Sequence, residues 1–488
     1  MLAEILPFKG FRYNKDKVHN LSSVITPPYD IISEDAQKRY YKAHPNNIIR
    51  IEHGKEEPGD GPENNKYTRA REYLRNWIKE GVLLQDPRPC IYVHEMSYVH
   101  QGQRKSVLGF ICAVRLEELT KGVILAHEET LSKPKQDRLE LIRTCRANTS
   151  PILGLYSDPE ASIRPILEAV AAGAPLFEAV DSYDVSHRLW AMGMGLLSEP
   201  VVTRKLQGED PITRIARAMA GKVIVIADGH HRYETALNFR EEMRKRRGMP
   251  EKNREIPRSH DYVGDHVHDY DPYNYVMMAL VDGEDEGLAI LPTHRLVRNV
   301  DSYILENLLA DLSAAFETEL KSSEVDAFGE ASRVLARELA RRGQDRHVFG
   351  MYLKDPAGAN TGLWMLTLRN EEGLDEAIAL PRSPRWKRLD VVILHELILG
   401  RLLKIGVQSA SACPPAEDPG SAGTNRKDGV ERGNGGTQVT LAYTRDEIEV
   451  FRRVKEGEFQ IGFFLNPPKV RDVMEVAMGG EKMPQKST

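Results

Sequence analysis

The stretch V-I-V-I-A-D-G-H-H-R-Y-E-T-A-L, Val223–Leu237, runs four β-prone residues into an abrupt Asp-Gly-His-His-Arg turn and then into text with helical spacing. A buried strand ending in Asp-Gly can turn sharply, because Gly229 tolerates backbone angles closed to other residues. The helix that follows begins with backbone N–H groups that have no acceptor inside the helix, and such a start attracts anions. His230, His231 and Arg232 add side-chain donors there, and an arginine can grip two phosphate oxygens at once. Asp228 can hold a divalent cation or cap the helix. The set suits a polyphosphate. Two other readings stay open on the residues alone. In one, Asp228 is only an N-cap, the histidines are satisfied by nearby carbonyls, and Tyr233, Ala236 and Leu237 form a core face. In the other, His230, His231 and Glu234 share a helix face as metal ligands, with a further ligand from His260, His266 or His268.

On both sides of this turn the chain reads as alternating α/β text. Upstream, strand-like runs at Ile48–Glu52, Cys90–Met96 and Val107–Val114 flank a strong helix, Tyr67–Glu80, stopped by Gly81. A strand opening at Gly122 turns into a charged helix after Pro134; Ile152–Tyr156 reads as a strand, and Ile163–Ala172 and Pro211–Ala220 as helices. Downstream, Arg244–Tyr273 reads as a long loop, followed by a strand V-M-M-A-L-V and by helices over Tyr303–Leu320 and Glu324–Arg342. The strands H-V-F-G-M-Y-L and L-W-M-L-T-L and a helix L-D-V-V-I-L-H-E-L-I-L-G-R-L-L come next. The Gly- and Pro-rich run 411–436 has too few apolar residues to add core and reads as a mobile insertion.

A chain of 488 residues exceeds one ordinary core. The expected division is an N-terminal α/β segment over 1–121, a central unit with the turn over 122–300, and a C-terminal α+β segment over 301–488. Against 72 acidic residues stand 67 basic ones, a formal charge of −5, which gives no general pull toward nucleic acid or an anionic membrane. Four scattered cysteines without a C-x-x-C pair argue against a zinc ribbon, a thioredoxin-like site or a secreted disulfide framework. With no signal-peptide pattern and no span-length apolar run, the expectation is a soluble, unprocessed, cytoplasmic chain.

Two further polar clusters stand out. A-H-E-E-T-L-S-K-P-K-Q-D-R, Ala126–Arg138, offers carboxylates at a strand end (Glu128, Glu129), a hydroxyl (Thr130) and cations (Lys133, Lys135, Arg138), of which Lys133 and Arg138 are possible substrate or phosphate contacts. A carboxylate beside a phosphate-binding turn can deprotonate an attacking hydroxyl, although the same run also reads as a solvated charged loop. I-L-P-T-H-R-L-V, Ile290–Val297, repeats the theme, with His294 and Arg295 at a strand end, either facing the same pocket as possible substrate or phosphate contacts or solvated at the surface.

Together with T-P-P-Y-D (Thr26–Asp30), S-P-I-L-G-L-Y, P-Y-N-Y-V-M-M, L-D-V-V-I-L-H-E-L-I-L and the terminal G-E-K-M-P-Q-K-S-T, these motifs resemble the family known as domain of unknown function 1015, over nearly the whole chain. The D-G-H-H-R core in turn resembles the ParB/sulfiredoxin superfamily, most closely its free-serine kinases. The resemblance implies a mixed α/β fold with a ParB/sulfiredoxin-like nucleotide-binding core and flanking α/β segments. It also implies a kinase using ATP or ADP with Mg2+ on free serine or a similar hydroxy amino acid. In those kinases a catalytic glutamate stands in a Pro-His-Glu context; the matching residue is Glu128 in Ala-His-Glu, with Ala126 in place of the proline. Carried over, Glu128 is the base on the substrate hydroxyl, Gly229, His230, His231 and Arg232 are the phosphate cradle, and Asp228 is the magnesium partner. Two alternatives compete: a ParB-like nucleotide-binding switch or scaffold without kinase activity, whose best basic run is Glu241–Gly248, and a metal hydrolase.

Overall fold

A computed structural model describes residues 3–100, 102–128, 132–193, 210–247, 271–355, 358, 360–405 and 439–484. The expected insertion at 411–436, most of the expected loop over Arg244–Tyr273, and Glu129, Thr130, His260, His266 and His268 lie outside them. The chain has two compact units, Met1–Ala289 and Ile290–Thr488.

The first unit is built on a nine-stranded mixed sheet. Its strands are β1 (Ile5–Leu6), β4 (Cys90–His100), β5 (Gln103–Arg115), β6 (Ile124–Ala126), β7 (Ile152–Tyr156), β8 (Phe177–Val180), β9 (Ser186–Gly193), β10 (Ile224–Asp228) and β11 (Tyr275–Asp282). They lie in the order β6-β10-β7-β11-β5-β4-β9-β8, with β1 added to β5. Two short strands, β2 (Phe11–Tyr13) and β3 (Leu83–Gln85), pair separately. The division expected at residue 121 is therefore absent from the sheet: β4 and β5 hydrogen-bond directly into the strands that follow it. Among the described strands only β6/β10 and β7/β11 are parallel. Among the described residues the α-helices of this unit are α1 (Glu34–Ala43), α2 (Ile49–Glu52), α3 (Lys66–Lys79), α4 (Ser132–Cys145), α5 (Arg164–Ala171), α6 (Pro211–Met219) and α7 (His230–Arg246). Apolar side chains of β10 (Ile224, Ile226) and α7 (Tyr233, Ala236, Leu237) join one core with Ile152, Met278 and Ile215. That burial fixes the turn between strand and helix.

One expected strand of this unit is a helix. Ile48–Glu52 reads as a strand because Ile49 and Ile51 alternate with polar residues, yet it forms the helical turn α2. The Asn47 side chain accepts from the Ile49 amide at 2.9 Å and starts the turn, and both isoleucines are buried.

The second unit is a six-stranded, wholly antiparallel sheet with helices. Its strands β12 (His294–Arg298), β13 (Phe316–Ser322), β14 (Val348–Leu353), β15 (Gly362–Leu368), β16 (Thr440–Thr444) and β17 (Ile461–Phe464) lie in the order β13-β15-β14-β17-β12-β16. Helices α8 (Ser302–Ser313) and α9 (Phe328–Arg342) precede α10 (Asp390–Ile393), which runs on as a π-helical stretch, Leu394–Leu402. Then come α11 (Glu447–Lys455) and α12 (Val470–Met478). The single helix expected over Tyr303–Leu320 is α8 followed by the edge strand β13. Leu308, Leu312, Phe316 and Leu320 keep a helical spacing of four straight across the break, which hides it from periodicity. Among the described residues, no helix is long and apolar enough to cross a membrane, and Cys90, Cys112 and Cys145 are free thiols.

Candidate nucleotide-binding turn

β10 pairs in parallel with β6, Ile224 opposite Ile124 and Ile226 opposite Ala126. Both strands therefore end on the same side of the sheet, and His127–Glu128 leaves β6 where Ala227–Asp228 ends β10, with neighbouring strands about 4.8 Å apart. His127 Nδ1 donates to the Ile226 carbonyl at 2.7 Å. Its ring meets the His230 ring edge-on, with centroids 4.6 Å apart. Burial pushes the His127 pKa down to about 4, against the opposing pull of that hydrogen bond, so the ring is neutral at pH 7. Glu128, partly buried, is thus the next residue after a side chain that touches the turn. The Asp-Gly-His-His-Arg sequence and Glu128 stand at one end of one sheet.

The turn itself is set by backbone chemistry. The pairing of β10 with β7 slips by one residue between Ile226 and Asp228, a bulge that turns the strand end before the helix. Gly229 has φ 92° and ψ 28°, and a Cβ there would come within 2.9 Å of the Arg232 guanidinium. Glycine is therefore required twice, by conformation and by space. At the helix start the N-cap position is Gly229 itself, with no side-chain cap. Asp228 does not cap the helix as one reading held. It pairs with Arg232 Nη2 at 2.5 Å, its side chain about half exposed. Arg232 Nη1 also donates to Ser150 Oγ at 3.1 Å and to the Pro151 carbonyl, so S-P-I-L-G-L-Y supplies both a strand and the group that aims the arginine.

Behind Arg232 lies a buried ionic network that the sequence reading did not assemble. Glu52, at the end of α2, accepts from Ser150 Oγ at 2.9 Å, from Thr149 Oγ1, and from Arg138 Nη1 at 3.1 Å. Arg138 also donates to the Glu52 carbonyl at 2.9 Å and to Asp137 at 2.6 Å, and the Tyr29 ring of T-P-P-Y-D lies 3.9 Å from its guanidinium carbon. Burial alone would raise the Asp137 pKa, but Arg138 and Lys66 hold it well below the usual carboxylate range. Burial pushes the Tyr29 phenol up to about 12, against the nearby Arg138 and Arg232 charges. Arg138, expected as a substrate or phosphate contact, turns inward with only 6% of its side chain exposed. Its place is behind the site, bracing α2, α4 and β7 where they meet. The motif residues Tyr29, Glu52 and Ser150 were all quoted in the sequence. What periodicity cannot give is that they converge, because convergence is tertiary.

The remaining candidates are distributed as follows. Lys133 lies on α4, with its side chain outside the described part. Lys135 pairs with Glu234 at 2.9 Å, so the carboxylate offered as a metal ligand on α7 already faces an ammonium. Among the described residues no group of three or more His, Cys, Asp or Glu is placed to hold a metal ion. A magnesium ion needs less: one or two carboxylates and the substrate phosphates. Asp228, half exposed, would meet that requirement through Oδ1, since Arg232 pairs with Oδ2. His294 and Arg295 belong to the second unit and do not end a strand. They open β12, both buried, with Arg295 opposite Tyr443 and Phe463. The Leu465 amide approaches His294 Nδ1 at 3.4 Å, and His294 Nε2 lies 3.5 Å from Glu447. Proline before Thr293 favours extended backbone, and the strand begins after it instead of ending there.

Comparison with curated proteins finds no match. Among solved structures, a conserved hypothetical protein from Pyrococcus furiosus aligns at 12% identity over 75% of this chain and 85% of that one, with a TM-score of 0.27. A free serine kinase in complex with AMP aligns at 13% identity over 75% of this chain and 82% of that one, with a TM-score of 0.28. The same kind of kinase in complex with ADP aligns at 11% over the same shares, also at 0.28. The family model described as "Protein of unknown function (DUF1015)" matches residues 5–392, and the chain belongs to that family.

Proposed function

We propose that this protein is a nucleotide-dependent phosphotransferase whose acceptor is a small hydroxy amino acid, with free serine the first candidate. The observation that carries the reading is the shared strand end, with Glu128 one residue beyond the His127 that packs on His230, beside the Asp-Gly-His-His-Arg turn. In this reading the first-turn amides after Gly229 and the His230, His231 and Arg232 side chains take the phosphates of ATP or ADP. Arg232, aimed by Ser150 and Asp228, neutralises charge that builds on the transferred group. Glu128 accepts the proton of the substrate hydroxyl. The freed oxygen forms a bond to the terminal phosphorus, the bond to the nucleotide breaks, and the nucleotide leaves one phosphate shorter. Asp228 is the residue that would hold magnesium, which supplies charge neutralisation at the phosphates. Most of the acceleration then comes from alignment and fixed charge, and no covalent enzyme intermediate is needed.

The test is direct. Full-length protein with magnesium, serine and either ATP or ADP should form O-phosphoserine, detected by mass, with one phosphate lost from the nucleotide per product. Absence of turnover with either donor, across serine and a panel of hydroxy acids, would overturn the proposal.

A further inference from the structure

The second unit holds a cleft of about 200 Å3 at one end of its sheet, at the starts of β12 and β14 and the ends of β15 and β17. Its walls carry charges of both signs, and several are held in place by neighbours. His347 Nδ1 donates to Asp390 Oδ1 at 2.6 Å, which fixes the ring, and its Nε2 lies 3.9 Å from Glu371. Arg388 donates to the Pro384 carbonyl at 2.9 Å and to Asp375 at 3.3 Å, so its planar head is oriented before any ligand arrives. Arg295 closes the floor, fully buried, its Nη1 on the Thr293 carbonyl and its guanidinium 5.5 Å from the Tyr443 ring centre. Lys469 stands at the N-cap of α12, and Asp472 in the first turn of that helix lines the same space. Burial raises the Asp472 pKa while Lys469 lowers it, the signature of a partly desolvated carboxylate that would gain from an incoming cation.

We propose that this cleft binds a small free α-amino acid as its zwitterion, the carboxylate taken by Arg388 and Lys469 and the ammonium by Asp472, Glu371 and His347 Nε2, the ring's acceptor once Nδ1 donates to Asp390. A simple anion would meet the cations but also face the carboxylates across a narrow space, and a simple cation the reverse; a zwitterion pairs with both. The volume lies below the roughly 300–1,000 Å3 of sites for drug-sized ligands, which suits a ligand of a few heavy atoms. This goes beyond the phosphotransferase reading, since the site lies in the second unit and needs no hydroxyl on its ligand.

Glycine and alanine are therefore the probes, because neither can accept a phosphoryl group. Calorimetric titration of the full chain should show saturable binding of one or both. Asp472→Asn and His347→Gln should each weaken it roughly 10- to 100-fold, as expected for a lost charge-assisted hydrogen bond. Unchanged thermal midpoints in the apo variants, or retained binding to a second variant Arg388→Gln at reduced affinity, separate loss of contact from loss of fold. Arg232→Ala, in the first unit, should leave glycine binding unaltered even where it abolishes phosphoserine formation. Three results would each overturn the proposal: no binding of glycine, alanine or any other natural amino acid; inorganic phosphate binding as tightly as the amino acids and displacing them; or glycine binding indifferent to all three cleft variants.

Discussion

Two segments of this protein place a histidine followed by an arginine next to an apolar strand, and they come to opposite ends. In the first unit, Asp-Gly-His-His-Arg lets β10 stop, turn through a left-handed glycine and release α7, with Arg232 and the half-exposed Asp228 paired across the turn. In the second, Pro-Thr-His-Arg starts β12, and His294 and Arg295 vanish into the sheet. The residue types are nearly the same. What differs is what stands before them: glycine takes the left-handed conformation from which a helix starts, whereas proline and threonine favour extension. A His-Arg pair therefore signals a ligand site only together with the backbone that aims it.

The sharpest way to test that contrast is at Glu128. Glu128→Gln removes the base but keeps shape and hydrogen-bonding capacity, so phosphoserine formation should fall roughly 10²- to 10⁴-fold while nucleotide affinity changes by less than about threefold. An unchanged rate would remove Glu128 from the mechanism and leave the turn as a binding feature only. Next in size is the support behind Arg232. Glu52→Ala leaves the buried Arg138 with Asp137 as its remaining carboxylate and removes the acceptor of Thr149 and Ser150, which should cost about 1–3 kcal/mol of stability, read by denaturant unfolding. Glu52→Gln should recover part of that loss. If Glu52→Ala unfolds at the wild-type midpoint, the buried network does not brace the site.

Gly229→Ala probes the turn itself. The positive φ costs about 1–2 kcal/mol for a residue with a Cβ, and the added atom meets the Arg232 head, so nucleotide affinity should fall more than stability does. Equal losses in both would mean that the turn matters only to folding. The last test is with pH. His127 is neutral in the fold with its pKa down at about 4, below the ordinary value of 6.5. Between those values the unfolded chain takes up a proton that the folded chain refuses. Its contribution is therefore complete above pH 6.5 and declines as pH falls toward 4, by up to about 1.4 kcal/mol per pH unit. His127→Asn should flatten the fall in thermal midpoint between pH 6.5 and 5. A slope unchanged by the substitution would contradict burial of the neutral ring.

Much of this was readable from the residues. The strand-turn-helix around Gly229, the strands at Cys90 and Ile152, and the helix ending at Gly81 follow from period and punctuation, because local preference and burial agree there. The reading failed where they disagree. Ile49 and Ile51 alternate like a strand but answer to the Asn47 side chain; Leu308 to Leu320 keep helical spacing through a break made by the sheet edge. At the site, the pairing of β6 with β10 that brings Glu128 to the turn joins segments about a hundred residues apart. No local pattern encodes that, and none encodes the meeting of Tyr29, Glu52, Arg138 and Ser150 behind Arg232. The motifs named the participants without giving their arrangement.

The central claim is that the Asp-Gly-His-His-Arg turn of the first unit holds nucleotide phosphates, and calorimetric titration of ADP into the full chain and into Arg232→Ala tests it most directly. Saturable binding at one site, weakened roughly 10- to 100-fold by the loss of the guanidinium, is the expected result. Absence of binding at millimolar ADP, or equal affinity in the two proteins, would contradict it.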